Sequence, residues 1–395
     1  MLTSIVMQRV PRRAIWLTIC IACSSILEAQ EPDDPPPRRP TTPDEAARAD
    51  IVRRPVLTGR ARNNRSSRRT RRTRDRTVDR LALAPDMFGD SGFVNVFTSL
   101  RGESGMLAAW DTNKIADNGS VLPKNRVYFD YRLFDNAQSL TNPMVGASGD
   151  ISRYRVGVER VFGVCDDWSI EFRLPFTGGG DIAIPDLSYG FGGVGNLSVI
   201  LKRVLTESDT TVTALGFAVN APTGADATIS IPSSPDTITI HNEAVQLMPW
   251  VGLLHTPDER FFHQAFAQLQ FAANGNSVSA TGVGGVLTDQ TLLFLDWESG
   301  YWIKPHCPDH GMGVAAVFEL HYTGTLQSPD LVAGLPPSPA ATLAGRSVNV
   351  VNMTGGFHVA VGERMTLRTG VSVPLTGSAD RFFDTEGIGT LIVHW

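Results

Sequence analysis

This sequence predicts an all-β fold, an antiparallel transmembrane β-barrel of about 12 strands with short periplasmic turns and long extracellular loops. Three observations lead there. From Arg126 onward, apolar residues recur with a period of two. The alternate positions carry charges of both signs, and aromatic residues gather near the strand ends of the apolar face. The connections alternate between short and long.

In chain order, residues 1–29 have the layout of a signal peptide. Arg9, Arg12 and Arg13 precede the apolar run Ala14 to Ile26, and Leu27-Glu28-Ala29 ends in a small residue suited to cleavage. Cys23 fits a lipoprotein acceptor poorly, because a cysteine also stands where an aliphatic residue is required. Export would place Cys165 and Cys307 in an oxidising compartment. Residues 30–80 form a Pro/Arg-rich linker, with Pro35-Pro36-Pro37 at its start and an arginine run from Arg68 to Arg76 at its end. Like charges without aromatics or the means to bury a core predict disorder. Behind a signal peptide, cell wall or anionic lipid is a better partner for this linker than nucleic acid, and a solvated tether without a ligand is the plainer reading.

Residues 81–124 are an N-terminal segment. Phe93, Val94, Phe97 and Leu100 suit a short helix, and the segment can plug a barrel or pack beneath it. The barrel itself is expected over 125–395. In Arg126 to Phe134, Val127, Phe129, Tyr131 and Leu133 share one face, and the polar residues share the other. Similar segments fall near 126–134, 151–162, 168–176, 193–204, 210–220, 243–255, 262–273, 291–303, 312–322, 347–361, 365–374 and 386–395. Each has about the ten residues that a tilted strand needs to cross a bilayer. The fifth, sixth and tenth are the least regular. A soluble sandwich or barrel also alternates, but it turns its apolar face inward. The paired charges and the aromatics Tyr154, Phe162, Phe172, Tyr301 and Trp395, suited to an interfacial girdle, favour the membrane. An even strand count puts both termini in the periplasm of an outer-membrane protein. The partners expected are outer-membrane lipids and, through the terminal strand ending at Trp395, the barrel-insertion machinery.

Three segments carry a family resemblance: DDWSIEFRLPF from Asp166 to Phe176, GFGGVGNLSVILKRVL from Gly190 to Leu205, and NAPTGAD from Asn220 to Asp226. In order and spacing they resemble bacterial outer-membrane barrels of the "MetA pathway of phenol degradation" family. That family has a strand ending in Leu-Pro, a Gly-rich Gly-Asp strand and then Pro-Thr-Gly. Asn196 stands where the family has Asp. The stretch from Asn113 to Asn136 is similar to the entrance segment of related barrels. The resemblance implies a channel or transporter and carries over no catalytic residue and no cofactor.

The inward face supplies the candidate lumen-lining residues. On the first four strands they are Arg126, Asp130, Arg132, Arg153, Arg155, Glu159, Glu171, Arg173 and Lys202, a mainly basic array. On the eighth and ninth they are Asp296, Glu298, Glu319 and His321, a mainly acidic one, and Arg368 lies near the C-terminus. Arrays of opposite sign facing across a pore would steer polar solutes. The same residues would equally make a plug of salt bridges, and the sequence leaves both open. His306, Cys307, Asp309 and His310 have zinc-ligand chemistry, but a polar turn is the simpler reading and no metal is expected. A Cys165–Cys307 disulfide is disfavoured by turns far apart around a barrel. Gly190, Gly192 and Gly195 match G-x-G-x-x-G with no helix following, so close strand packing or a bulge is the better reading than a nucleotide loop. No serine is evidently paired with His321 or His358, so a lipase-like enzyme is not expected.

Overall fold

A computed structural model describes residues 81–395, apart from 101–102, 142–145, 179–181, 185–186, 191, 231–236, 306–310, 329, 336–340, 346 and 378–380. The expected signal peptide and linker, together with His306, Cys307, Asp309 and His310, lie outside the described residues. Cys165 is exposed in the turn after the second barrel strand.

Twelve strands close into one antiparallel barrel. They are β1 (Arg126–Thr141), β2 (Gly146–Phe162), β3 (Trp168–Gly178), β4 (Leu197–Glu207), β5 (Thr211–Ala221), β6 (Gln246–His255), β7 (Phe261–Ala272), β8 (Thr291–Lys304), β9 (Met312–Gln327), β10 (Asn349–Val361), β11 (Met365–Pro374) and β12 (Thr385–His394). Each pairs with its sequence neighbours. The seam closes where β12 runs antiparallel to β1, from Thr385↔Asp135 to His394↔Arg126. Closure leaves the barrel strands without a free edge.

The two faces are inverted relative to a water-soluble barrel. Phe129, Phe172, Leu253, Phe318 and Phe357 stand exposed outside, whereas the largest fully buried side chains include Arg126, Arg132, Arg153 and Arg155. An exposed apolar band around buried charge is stable only in a hydrocarbon surround, so this is a transmembrane barrel of the outer-membrane type. The soluble alternative is thereby set aside. Phe162, Tyr301 and Trp395 lie at the short-turn end. Tyr154 packs against Tyr131 with tilted rings, centroids 5.0 Å apart, farther along the wall.

At the other end the loops carry structure of their own. Six short strands, Ile182–Ile184, Leu187–Gly190, Ala227–Ser230, Thr237–Ile240, Asn276–Ala280 and Val283–Leu287, form a separate sheet. Ile229, Ile238, Ile240, Val278 and Leu287 join Trp110 in its core. Asp135–Thr141 and Gly146–Asp150, expected as parts of a loop, continue β1 and β2 past a bulge after Phe134. The region expected as a short helix is instead the strand Phe93–Leu100, paired with Glu103–Asp111 and with Ala341–Gly345. Its partners come from distant sequence, and their backbone hydrogen bonds override a weak local helical pattern.

The motifs of the resembling segments are packed together. The Thr223 hydroxyl donates to Gly195 O (3.2 Å) and accepts from the Leu197 N–H (2.9 Å). Asn196 accepts from the Gly224 N–H (2.9 Å) and shares amide hydrogen bonds with Asn242. The Pro-Thr-Gly turn is thus docked on the Gly-rich strand. Gly195 donates its N–H to Pro175 O at 2.9 Å, the close strand approach that its missing side chain allows.

Candidate functional site

The barrel interior is occupied by the chain's own N-terminal segment. Residues 81–92 run from the short-turn end towards the loops, the hairpin of Phe93–Leu100 and Glu103–Asp111 turns there, and residues 112–124 return. Both crossings are cross-linked: Met87 N–H donates to Gly119 O (2.9 Å) and Thr112 N–H to Gly92 O (3.0 Å). Lys124 closes the loop at the short-turn end by donating to Ala84 O (3.1 Å). Trp110 marks the opposite end, its indole N–H donating to Ala225 O (3.2 Å).

All fourteen residues expected to line the lumen are buried on the inner face of the wall. Alternation along tilted strands puts them there, and register sets their neighbours. Arg126 lies opposite Glu159 and Asp130 opposite Arg155, but Arg132 lies opposite Arg153 and Glu298 opposite Glu319. Like-charge neighbours in a low-dielectric interior need compensation. Part of it comes from the wall. Arg132 Nε reaches Asp130 at 2.8 Å and its Nη1 reaches Glu386 at 2.6 Å. Arg173 pairs with Glu171 (2.7 Å) and Lys202 with Glu159 (2.9 Å). His321 Nδ1 lies 2.8 Å from Asp296, and Gln264 donates to Glu298 at 3.0 Å.

The rest comes from the inner segment, and its charges are complementary to the wall. Asp86 pairs with Arg126 at 2.6 Å, and Asp117 pairs with Arg155 at 3.2 Å on the basic array. Lys114 pairs with Asp296 at 3.0 Å on the acidic array, and also with Asp90. Backbone groups complete the fit. Glu319 accepts the N–H groups of Phe88 (2.6 Å) and Gly89 (2.9 Å). Arg368 donates to Met87 O (2.7 Å) and Asn118 (2.9 Å), and Arg132 donates to Phe88 O. Arg153 donates to Gly92 O at 3.4 Å. The arrays therefore do not face each other across open space. The segment lies between them and meets each with the opposite sign.

The remaining sector of the wall is apolar. Ile200, Ala214, Met248, Trp250 and Phe266 pack with Phe88, Ile115 and Val121 of the segment in one buried cluster. Gln264 and Gln268 punctuate it, accepting the N–H groups of Val121 (3.0 Å) and Ile115 (2.7 Å). Sequence reasoning missed Asp86, Asp90, Lys114, Asp117 and Lys124. Isolated charges in irregular chain have no period to betray them; the available signal was their presence in a Gly- and Asn-rich stretch without a core of its own.

Two further constellations have ligand or catalytic chemistry. Asp90, Asp296 and His321 lie close enough to hold a metal ion. The Lys114 ammonium already sits among them, so the cluster's positive partner is built into the chain. On the loop sheet, Asp226 lies 2.9 Å from His241 Nδ1, and His241 Nε2 lies 3.0 Å from the Ser279 hydroxyl. This is the connectivity of a serine hydrolase triad, at a histidine the sequence reading did not consider. The Asn242 N–H holds the Asp226 carboxyl below its usual value, and the His241 ring adds to this against a small burial penalty. The His241 and Asp226 side chains are 37% and 44% exposed. Acyl transfer depends on a dry, preorganised site, and an open sheet face supplies none. The three residues staple neighbouring strands of the loop sheet.

Fold and interior together define an outer-membrane β-barrel with an occupied lumen. No family model and no curated protein matches the chain. Among solved structures, the COG4313 outer membrane channel from Pseudomonas putida F1 is 11% identical over 69% of this chain and 96% of that one, with a TM-score of 0.47. The β domain of the Bordetella autotransporter BrkA is 14% identical over 69% and 100%, with a TM-score of 0.45. The CymD monoaromatic hydrocarbon channel is 10% identical over 69% and 87%, with a TM-score of 0.38.

Proposed function

We propose that this protein is an outer-membrane channel for small solutes whose resting state is closed by its own residues 81–124. The observation that carries the reading is the charge complementarity between segment and wall. A barrel selected only for rigidity gains more from apolar packing than from buried ion pairs, which at best roughly repay their desolvation. A wall of arginines and carboxylates is instead one that water can take over when the segment leaves. In this reading the short turns face the periplasm, both termini lie there, and Trp395 presents the last strand to the insertion machinery.

The test is planar-bilayer recording of the refolded full chain beside a variant lacking residues 84–121. Rare openings are expected from the first and a steady conductance from the second. A variant that migrates as a folded, heat-modifiable barrel yet passes no current sinks the proposal.

A second reading, an envelope-anchoring barrel, is favoured by the filled interior and by the segment entering at the end that carries Trp395. Its tether would be the arginine-rich residues 30–80, acting on cell wall or anionic lipid. Deleting 30–80 separates the two, since the anchor loses cell-wall association and the channel keeps its permeability.

A further inference from the structure

At the long-loop ends of β4 to β7 the wall and the loops enclose a cavity with room for one water-sized guest. Side-chain amides line it, among them Gln246, Gln270 and Asn276, together with Trp110 and a single carboxylate, Asp289. Gln246 and Gln270 are 4% and 2% exposed, and among the described residues neither carbonyl oxygen accepts a hydrogen bond. The Gln246 amide cannot simply turn round, because its Nε2 donates to Asp289 Oδ2 at 2.6 Å. Asn276 is also fixed. Its oxygen accepts the N–H groups of Glu243 and Ala244, both at 2.9 Å, which leaves its Nδ2 as an orphaned donor.

Two orphaned carbonyl oxygens and a carboxylate around one small space form a hard oxygen donor set. Among the described residues no cation pairs with Asp289. Burial pushes its carboxyl up to about 7, with the Gln246 hydrogen bond pulling the other way. The other titratable groups on the packed elements are Glu243, the Asp226–His241 pair, and Asp330, whose N–H donates to Thr288 O at 3.4 Å; none of them lines the cavity. One negative charge is neutralised by one positive charge, whereas a divalent ion would leave a net charge enclosed, which is costly.

The geometry points to a binding site for one monovalent cation, sodium, held by the Asp289 carboxylate and the carbonyl oxygens of Gln246 and Gln270. Asp289 follows the last strand of the loop sheet and Asn276 begins its neighbour, while Gln246 and Gln270 belong to the barrel. The ion therefore fastens the loop sheet to the barrel mouth.

The experiment compares thermal unfolding of the refolded full chain in sodium chloride and in N-methylglucamine chloride at equal ionic strength. At pH 8 sodium raises the midpoint, increasingly with its concentration, because it binds the folded form. Asp289→Asn and Gln270→Met are both insensitive to sodium at pH 8. Crystals soaked in a thallous salt show an anomalous peak in the cavity. A pH 8 midpoint indifferent to sodium, a sodium response surviving in Asp289→Asn, a response to calcium in place of sodium, or a cavity without the peak overturns the site.

Discussion

Glu319 is the wall residue through which the proposed closed state is most directly tested. Its carboxylate accepts two backbone N–H groups of the inner segment, from Phe88 and Gly89, and its neighbour on β8 is a second carboxylate, Glu298. Replacing it with glutamine keeps size and shape but removes the charge and one acceptor. Hydrogen bonds to a charged group contribute about 1.5–3 kcal/mol each, and a buried donor left unpaired costs about 1–3 kcal/mol. Relief of the repulsion from Glu298 offsets part of this, so we expect the segment to be held less tightly by about 2–4 kcal/mol. At about 1.4 kcal/mol per tenfold change, the ratio of open to closed channels rises by roughly thirtyfold to several hundredfold. The assay is single-channel recording, scoring opening frequency in wild type, Glu319→Gln and the lipid-facing control Phe318→Leu. A folded Glu319→Gln barrel that opens no more often than wild type refutes the reasoning, as does a wild type that is permanently open.

Three other outcomes follow from the same structure. Gly157 faces the Tyr128 ring so closely that an added Cβ meets it, and Tyr128 is held by its hydrogen bond to Glu171 (2.7 Å); Gly157→Ala is expected to lower barrel stability by about 1–3 kcal/mol in urea unfolding, and an unchanged midpoint contradicts this packing. Ser279 is expected to resist a fluorophosphonate probe, since its triad lies on an open face; covalent labelling lost in His241→Ala would show that the loop sheet is a hydrolase after all. Asp226 has its carboxyl held low by the Asn242 N–H, so its contribution to the loop sheet is complete above the ordinary aspartate value of about 3.9 and fades as pH falls through the lowered one. Asp226→Asn should therefore speed amide exchange in Thr237–Ile240 at pH 7, by an amount worth under about 1 kcal/mol for so exposed a group, and an equal effect at pH 2 would contradict the assignment.

The barrel was legible because membrane strands repeat one simple rule. Val127, Phe129, Tyr131 and Leu133 had to face lipid, and that alone fixed Arg126, Asp130 and Arg132 inside. Even Ile392, an apolar residue on the polar face of β12, remained on the inner side and is fully buried. What the charges do there was not legible. Arg132 and Arg153 side by side make sense only with Glu386, Phe88 O and Gly92 O around them, and those partners lie 44 to 254 residues away in the chain. The loop sheet was missed although Ile229, Ile238 and Ile240 alternate with threonines and serines. Runs of four residues among prolines read as loop until their partner strands are known.

The path of the inner segment has a topological consequence. The paired strand ends Leu100 and Glu103 lie at the loop end, while Ala84 and Lys124 meet at the short-turn end. Among the described residues the segment enters and returns at one end of the barrel. The segment is a bolt rather than a thread: in the proposed channel it would be drawn back by the way it entered without the seam between β12 and β1 reopening. Among the described residues, the pairing of the tip with Ala341–Gly345 and β1, the Trp110 hydrogen bond to Ala225 and the packing of Trp110 in the loop-sheet core hold the far end. A pull applied at Leu81 would therefore act along the axis on which the bolt lies.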